Sequence, residues 1–514
     1  MERLMLPRIS PSIPLADHQH GFRPGRSTTT YLTKLTQLIS DGFNSPSPPK
    51  RTTLATIDIN KAFDTVPRHL LTEKILNLDI HKNDRRWLSS FISGRLGRVI
   101  LRGQPSAART LPNGVPQGAV LSPTLFNLFL HDLPEPTSTT THILSYADDL
   151  SIASQHHCKT TATTDLQDYI HQLETWLEQN RMTVAPAKSS VTLLTPDRHE
   201  HNVHPHTTLN SQTIPLNRNP KILGLTFDPH LTFTPHTNLL IGKAHRRLRA
   251  LKALTGTTYG QSKESITTLY KQYIRTLLTY ASPAWSSITS TSNTRHLQTI
   301  QNAALRIATG CTQPTDIPHL HHETKVLTLH QHLDMRGTQF IAQTQNKEHT
   351  CHPLHDRPTR SRHKKADPIT YYTSILSSLP PTPEQTSSTQ HIHTVLTKTA
   401  LSNASHNKVL RGPPPKLSPA EALLPRHTRT TLSQLRSGKH PSLNTFKHLI
   451  DPSTSPHCPT CPGSDHTTEH LLLHCPAHQT HRKNCSLRSL RDLWTSPVTV
   501  VNFLEAAGFH LMEP

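Results

Sequence analysis

Apolar positions along the chain fall into short, separable patterns. Thr53-Leu54-Ala55-Thr56-Ile57 is a run of β-branched and apolar residues and predicts a buried strand. Asp58 closes that run, and Asp64 follows six positions later. Ile143-Leu144 and Leu150 to Ile152 flank Tyr146-Ala147-Asp148-Asp149, which predicts strand, turn, strand. Leu125, Phe126, Leu128 and Phe129 follow Ser122-Pro123 and suit a buried helix started there. A longer helix is predicted from Thr164-Asp165 to Asn180, with Leu166, Tyr169, Ile170, Leu173, Trp176 and Leu177 as its core stripe.

Further on, Leu240 to Leu254 predicts a helix with Leu240, Ala244, Leu248 and Leu251 buried and Lys243, Arg246, Arg247, Arg249 and Lys252 on the rest. Leu269, Tyr273, Leu277 and Tyr280 recur at helical spacing and read as core, and Leu297 to Ile307 is amphipathic. From about Thr312 to Pro425 the chain is rich in Thr, His, Pro and Ser. Pro380-Pro381 and Pro413-Pro414-Pro415 argue against long regular elements, so a weakly folded linker is expected. No internal repeat is evident.

Carboxylates at strand ends carry chemistry. Asp58, ending a buried strand, would be desolvated unless a cation or donor met it; the alternative is that Asp58 or Asn60 caps Lys61-Ala62-Phe63. Asp148 and Asp149 offer hard oxygen ligands suited to Mg²⁺, or else a solvated hairpin tip. Between the two acidic sites, Gly114 and Gly118 allow close backbone approach around Pro116.

The chain has 514 residues, a fair size for about three domains, yet only 33% are hydrophobic. Lys and Arg total 54 against 34 acids, a formal charge of +20, which favours a polyanionic partner. Its 39 His add charge on acidification. No segment reads as a signal peptide, and no apolar run is long enough to cross a bilayer. Seven Cys make no disulfide framework, so an intracellular, non-secreted protein is expected, nucleus or cytoplasm unresolved. Cys458, Cys461, His470 and Cys475 follow C-x-x-C-x8-H-x4-C and suit Zn²⁺. On a straight helix residues five apart do not share a face, so Cys475 is expected at or past a helix end. Cys158, Cys311, Cys351 and Cys485 read as plain thiols.

In order, Asp58-Ile59-Asn60-Lys61-Ala62-Phe63-Asp64, Gly114-Val115-Pro116-Gln117-Gly118 with Leu121-Ser122-Pro123, and Tyr146-Ala147-Asp148-Asp149 resemble motifs A, B and C of reverse transcriptases. The match is closest to non-LTR (LINE-type) retrotransposons. Gln19 to Thr28 resembles the fingers segment before motif A, Asn180 to Met182 with Ala187-Lys188-Ser189 resembles motif D, and Ile222 to Leu225 resembles the start of motif E. The Cys458, Cys461, His470, Cys475 pattern resembles the C-terminal knuckle of the same proteins. The resemblance covers roughly Glu2 to Gly310 and a patch near the C-terminus.

It implies an α+β right-hand polymerase: partial fingers over 1–50, a palm sheet packed on helices over 51–230, a helical thumb over 231–311, the linker over 312–425, and a zinc-knuckle region over 426–514. It implies RNA-directed DNA synthesis with two Mg²⁺ held by Asp58 and Asp148, and Asp149 as a weaker ligand. Lys188 would donate a proton to pyrophosphate, and Phe63 would crowd a ribose 2′-hydroxyl unless it is simply core. Gln117 and Gly118 would line the base pair, and Arg23 and Arg26 would reach phosphates unless they are plain surface residues. Partners would be an RNA template, a DNA primer and deoxynucleoside triphosphates, with no membrane, and a separate endonuclease. The chain is expected to start late, lacking an earlier fingers segment. An inactive remnant that only binds nucleic acid is the alternative, and a maturase of group II introns shares the same palm.

Overall fold

The computed structural model describes residues 1–200, 202–356, 366–383, 386–403 and 406–509. These divide into two compact units, each assembled from separate stretches of chain. Helices and a small antiparallel sheet are both present.

The first unit comprises Met1–His236, Ala281–Thr289 and Phe340–Ser378. Its centre is a four-stranded sheet of β1 (Arg51–Asp58), β2 (Thr141–Tyr146), β3 (Asp149–His156) and β4 (Ser190–Leu194). The spatial order is β2-β3-β1-β4, with every neighbour antiparallel. β1 is central, which fits its β-branched sequence and its burial on both faces.

Alternation separates the two faces. Thr53 meets Thr163 of helix Lys159–Gln179 at 3.3 Å, and Ala55 and Ile57 share that side. Leu166, Tyr169, Ile170, Leu173, Trp176 and Leu177 of that helix are all buried, as the stripe predicted. On the other side, Thr52 accepts from Gln155, whose amide also donates to Leu38 O of helix Thr28–Phe43. Ser27 and Thr30 close a reciprocal cap at the start of that helix.

The segment expected to be a weak linker folds. Among the described residues of 312–425 are helices Ile317–Thr324, Leu329–Thr344, Pro368–Ser377 and Ser388–Ser402. Prolines punctuate this stretch instead of preventing it, since Pro380-Pro381 falls between two of the helices. Pro368–Ser377 belongs to the first unit. Its Ile369 N–H donates to Gln37 at 3.1 Å, and its Tyr372 hydroxyl lies 2.6 Å from Ser286. Asp367 caps it through Thr370 N–H.

The second unit comprises Thr237–Tyr280, Ser290–Gln339 and Leu379–Pro514, described here to residue 509. Helix Thr234–Leu254, most of which lies in it, begins earlier than the predicted Leu240. Leu240, Ala244, Leu248 and Leu251 are buried as expected, and Lys243, Arg246, Arg249 and Lys252 are exposed. The Leu269, Tyr273, Leu277, Tyr280 stripe is not the core face. Ile266, Tyr270, Ile274 and Leu278 are buried, whereas Tyr273 and Tyr280 are exposed. Two series with similar spacing competed, and Tyr273 lies on the outer one, with the Arg247 guanidinium 4.6 Å from its ring centre.

Four buried charges bind distant parts of this unit together. Lys263 Nζ lies 3.3 Å from both Glu323 and Glu421, and Arg436 lies 3.2 Å from Glu323 while also pairing with Glu421. Arg436 is wholly buried, and its Nε also donates to Leu493 O at 2.9 Å. Burial by itself would raise the Glu323 carboxyl, but the Arg436 and Lys263 cations reverse this and hold it far below the usual range.

Candidate active site and Cys/His cluster

The register of the sheet brings the separated acids together. Asp58 ends β1 and lies directly opposite Asp149, the first residue of β3. Tyr146 pairs with Asp149 across a two-residue turn, so Ala147 and Asp148 form the tip. Ala147 takes φ 56, a left-handed conformation that closes so tight a turn. Asp148 therefore lies in the turn, outside the face-to-face alternation of the two strands. The Asp149 carboxyl is pushed up by burial first, then by Asp148 and Asp58. Asp148 and Asp58 thus crowd Asp149 with like charge.

One cation already stands there. Lys188 Nζ lies 3.7 Å from Asp58 Oδ2, with both side chains substantially exposed. The loop before β4 brings it in. Ala185 N–H donates to Asp58 O, Asn60 N–H donates to Thr183 O, and Asp58 N–H donates to Ser189 Oγ at 3.2 Å. Asp58 and Asn60 cap nothing, since the short helix Ala62–Thr65 starts at Lys61 without a side-chain cap.

The glycine loop is pinned to this helix. Val115 N–H donates to Phe63 O at 2.9 Å, and Gly114 N–H donates to Val66 O at 2.8 Å. Gly114 has φ 88, and a Cβ there would sit 2.7 Å from Asp64 O, so both conformation and space demand glycine. Gly118 has φ 83 and open space around it. The Gln117 amide donates to Asp64 Oδ1 at 2.8 Å. Phe63 is partly buried and stacks on Phe126 with centroids 4.3 Å apart, while its edge meets the exposed Phe22. Phe63 therefore combines packing with access to the surface, and neither sequence reading excludes the other.

A residue missed by sequence reasoning holds the turn. Gln19 Oε1 accepts from Ala147 N–H at 2.9 Å and from Gly21 N–H at 2.7 Å, and Gln19 Nε2 donates to Ala147 O at 3.2 Å. Around it, His20 N–H donates to Ser145 O, Ser145 N–H donates to His18 O, and His18 Nδ1 lies 2.9 Å from Ser145 Oγ. A Cβ on Gly21 would lie 2.4 Å from Ala147 N. Burial, with Arg26 and Arg23 nearby, lowers His18 to about 4, so its imidazole is uncharged at neutral pH.

Arg23 and Arg26 are turned inward to the same belt. Arg23 donates to Ala16 O and Gln19 O, and Arg26 donates to Gln19 O at 2.9 Å while pairing with Asp17 at 3.1 Å. Nη1 of each is thus engaged by backbone carbonyls.

In the second unit, one ligand atom each from Cys458, Cys461, His470 and Cys475 all lie within 4.8 Å of one another. Cys458 Sγ and Cys475 Sγ are 4.0 Å apart. A tight turn carries the first pair, with Cys458 N–H donating to Ser464 O at 2.8 Å. His470–His474 is a π-helical turn with Cys475 at its C-terminus, and Cys475 N–H donates to His470 O. The wider turn solves the five-residue spacing and leaves Cys475 at the helix end, where it was expected. Leu471 and Leu472 anchor the turn in a core with Leu435, Phe446, Trp494 and Phe503. Three thiols and an imidazole are the donor set of a tetrahedral zinc site, and the spacing is compatible with one.

Residues 1–227 match the family model described as "Reverse transcriptase (RNA-dependent DNA polymerase)". The chain is 27% identical over 341 residues to "Probable RNA-directed DNA polymerase from transposon BS" of Drosophila melanogaster, covering 63% of this chain and 36% of that protein. It is 25% identical over 360 residues to "Probable RNA-directed DNA polymerase from transposon X-element" of the same fly, covering 69% and 37%. For "RNA-directed DNA polymerase from mobile element jockey", also from D. melanogaster, identity is 26% over 366 residues, covering 69% and 38%. The chain thus spans little more than a third of the length of these relatives.

Proposed function

Since residues 1–227 carry a reverse transcriptase domain related to those of non-LTR retrotransposons, we propose that the chain is an RNA-directed DNA polymerase that extends a primer 3′-hydroxyl with deoxynucleotides. The observation that carries this reading is the register that sets Asp58 opposite Asp149 with Asp148 at the adjoining tip. The four-stranded sheet is then the palm, the basic helix Thr234–Leu254 part of a thumb, and residues before β1 part of the fingers.

Asp58 and Asp148 would hold two Mg²⁺, with Asp149 as the weaker ligand. Burial and then the charges of Asp148 and Asp58 raise Asp149, and divalent cations would offset that like charge. When bound, such ions supply Lewis acidity at the primer hydroxyl and charge neutralisation at the leaving pyrophosphate. The protein's own residues do the rest. Gln19 fixes the turn that carries Asp148. Gln117 and Gly118 would border the base pair, Phe63 would face the sugar, and Lys188 offers an exposed ammonium group beside Asp58 for proton donation. Cys458, Cys461, His470 and Cys475 would hold Zn²⁺ and stiffen a nucleic-acid-binding knuckle.

Partners under this reading are an RNA template, a DNA primer and deoxynucleoside triphosphates. Work on nucleic acid implies an intracellular protein. No described helix is long and apolar enough to cross a membrane. The test is primer extension by the full chain on an RNA template with a DNA primer. Asp148→Asn should cut extension by more than about 100-fold, because it removes charge at the reacting centre, while template-primer affinity stays nearly unchanged. No extension by the unmodified chain, with binding intact, would leave only the binding-remnant reading.

A further inference from the structure

Residues Leu96 to Thr110 form a two-stranded arm with no core beneath it. Leu96 pairs with Thr110 and Gly97 with Arg109, and nearer the tip Ile100 pairs with Pro105 and Leu101 with Gln104. Between these pairs Arg98 and Val99 oppose Ser106, Ala107 and Ala108, an extra residue that makes a bulge. Arg102 and Gly103, with φ 50 and 81, close the tip. Six residues of strand give the arm a reach of about 20 Å.

Every residue from 98 to 113 is exposed. Val99, Ile100 and Leu101 are 71–72% exposed, and Leu96 is 66% exposed. An isolated two-stranded ribbon is marginal in water, and contiguous exposed aliphatics mark a contact surface. The base, by contrast, is firmly tied. Leu111 N–H donates to Arg95 O at 2.9 Å, the Arg95 guanidinium lies over Phe91, and Arg68 donates to Leu111 O.

Charge identifies the partner. Between Asp84 and Asp132 the chain has six arginines and no acid. Three of them, Arg98, Arg102 and Arg109, lie on the exposed arm. Arginines bind phosphates, and a ribbon tipped with aliphatic and proline side chains suits the floor of a groove. We propose that this arm docks on a nucleic-acid duplex, its arginines on the phosphates and Ile100 and Pro105, a cross-strand pair, against the groove.

The inference needs duplex binding but not polymerisation. The test measures affinity of the full chain for a short blunt RNA–DNA hybrid across a salt titration. Replacing Arg98, Arg102 and Arg109 together by Ala should weaken binding and flatten the plot of log affinity against log salt by about 2–3 units of slope. The triple Lys variant should restore the slope, since phosphate contact needs charge more than geometry. An unchanged slope in the Ala variant, or a slope lost equally in the Lys variant, overturns the proposal. So does an Ile100→Ser, Leu101→Ser variant that dissociates a dimer in sedimentation yet binds the duplex normally, because the arm would then be a protein interface. Asp148→Asn run in parallel separates the two readings: loss of extension with the arm's slope intact leaves both standing, and no extension by the unmodified chain touches only the polymerase.

Discussion

Asp58, Asp148 and Asp149 bring three like charges to one end of a sheet, whereas Lys263, Glu323, Glu421 and Arg436 bury two charges of each sign. The buried four satisfy one another and need nothing further. Among the described residues, the ion pair at the three acids is that of the exposed Lys188 with Asp58. Imbalance at an accessible strand end is the mark of a site that waits for a ligand, and balance in the interior is the mark of a fastening. Both groups would look alike in a count of charged residues.

Substitutions can break this contrast from either side. Asp148→Asn should abolish extension by the margin stated above and yet leave the melting temperature unchanged or raised, because it relieves repulsion. A clear drop in thermal stability would show that the acids are structural. Arg436→Met should do the reverse. It strands two buried carboxylates with one lysine, at a cost of about 3–5 kcal/mol, read by urea unfolding.

Acid should separate the two groups as well. Glu323 is held below its ordinary pKa in the folded state, so its contribution to stability is full at neutral pH. That contribution is lost as pH falls below the ordinary glutamate value toward the folded one. Unfolding curves should therefore show a steeper acid loss for the unmodified chain than for Glu323→Gln, which begins less stable. Parallel curves would mean that the quartet is not ionised as described.

Smaller effects probe how the site is held. Gln19→Leu leaves the N–H groups of Ala147 and Gly21 without their acceptor, which costs about 1–3 kcal/mol. Extension should fall by roughly 10- to 100-fold through misplacement of Asp148. Normal extension would show that the turn holds without it. Phe63→Ala should raise ribonucleotide incorporation by about tenfold. Unchanged discrimination would assign Phe63 to packing on Phe126 alone.

Much of the four-stranded sheet and its covering helix was legible because its signals are local. The alternation around Tyr146 to Asp149, the β-branched run before Asp58 and the stripe from Leu166 to Leu177 each specify an element without outside help. The 312–425 stretch was misread because its helices bury few large apolar residues. Thr324, Thr344 and His321 are accommodated by hydrogen bonds to Leu320 O, Ile341 O and Val326 O, so polar composition hid ordered structure. Gln19 was invisible for a different reason. No periodicity reveals that an amide will meet a turn 128 residues away. For Arg23 and Arg26 the sequence shows only charge, and it takes the fold to show the carbonyls that meet their Nη1 atoms.

The first unit is not finished when β4 has been made. Ile369 and Tyr372 reach Gln37 and Ser286 only after the chain has gone on to build much of the second unit. A nascent polypeptide leaving the ribosome would therefore carry helix Thr28–Phe43 without the cover of Pro368–Ser377 until those late residues emerge. Recombinant fragments stopped at His236 should inherit that bare surface, and aggregation of such fragments would say nothing about the chemistry of the sheet.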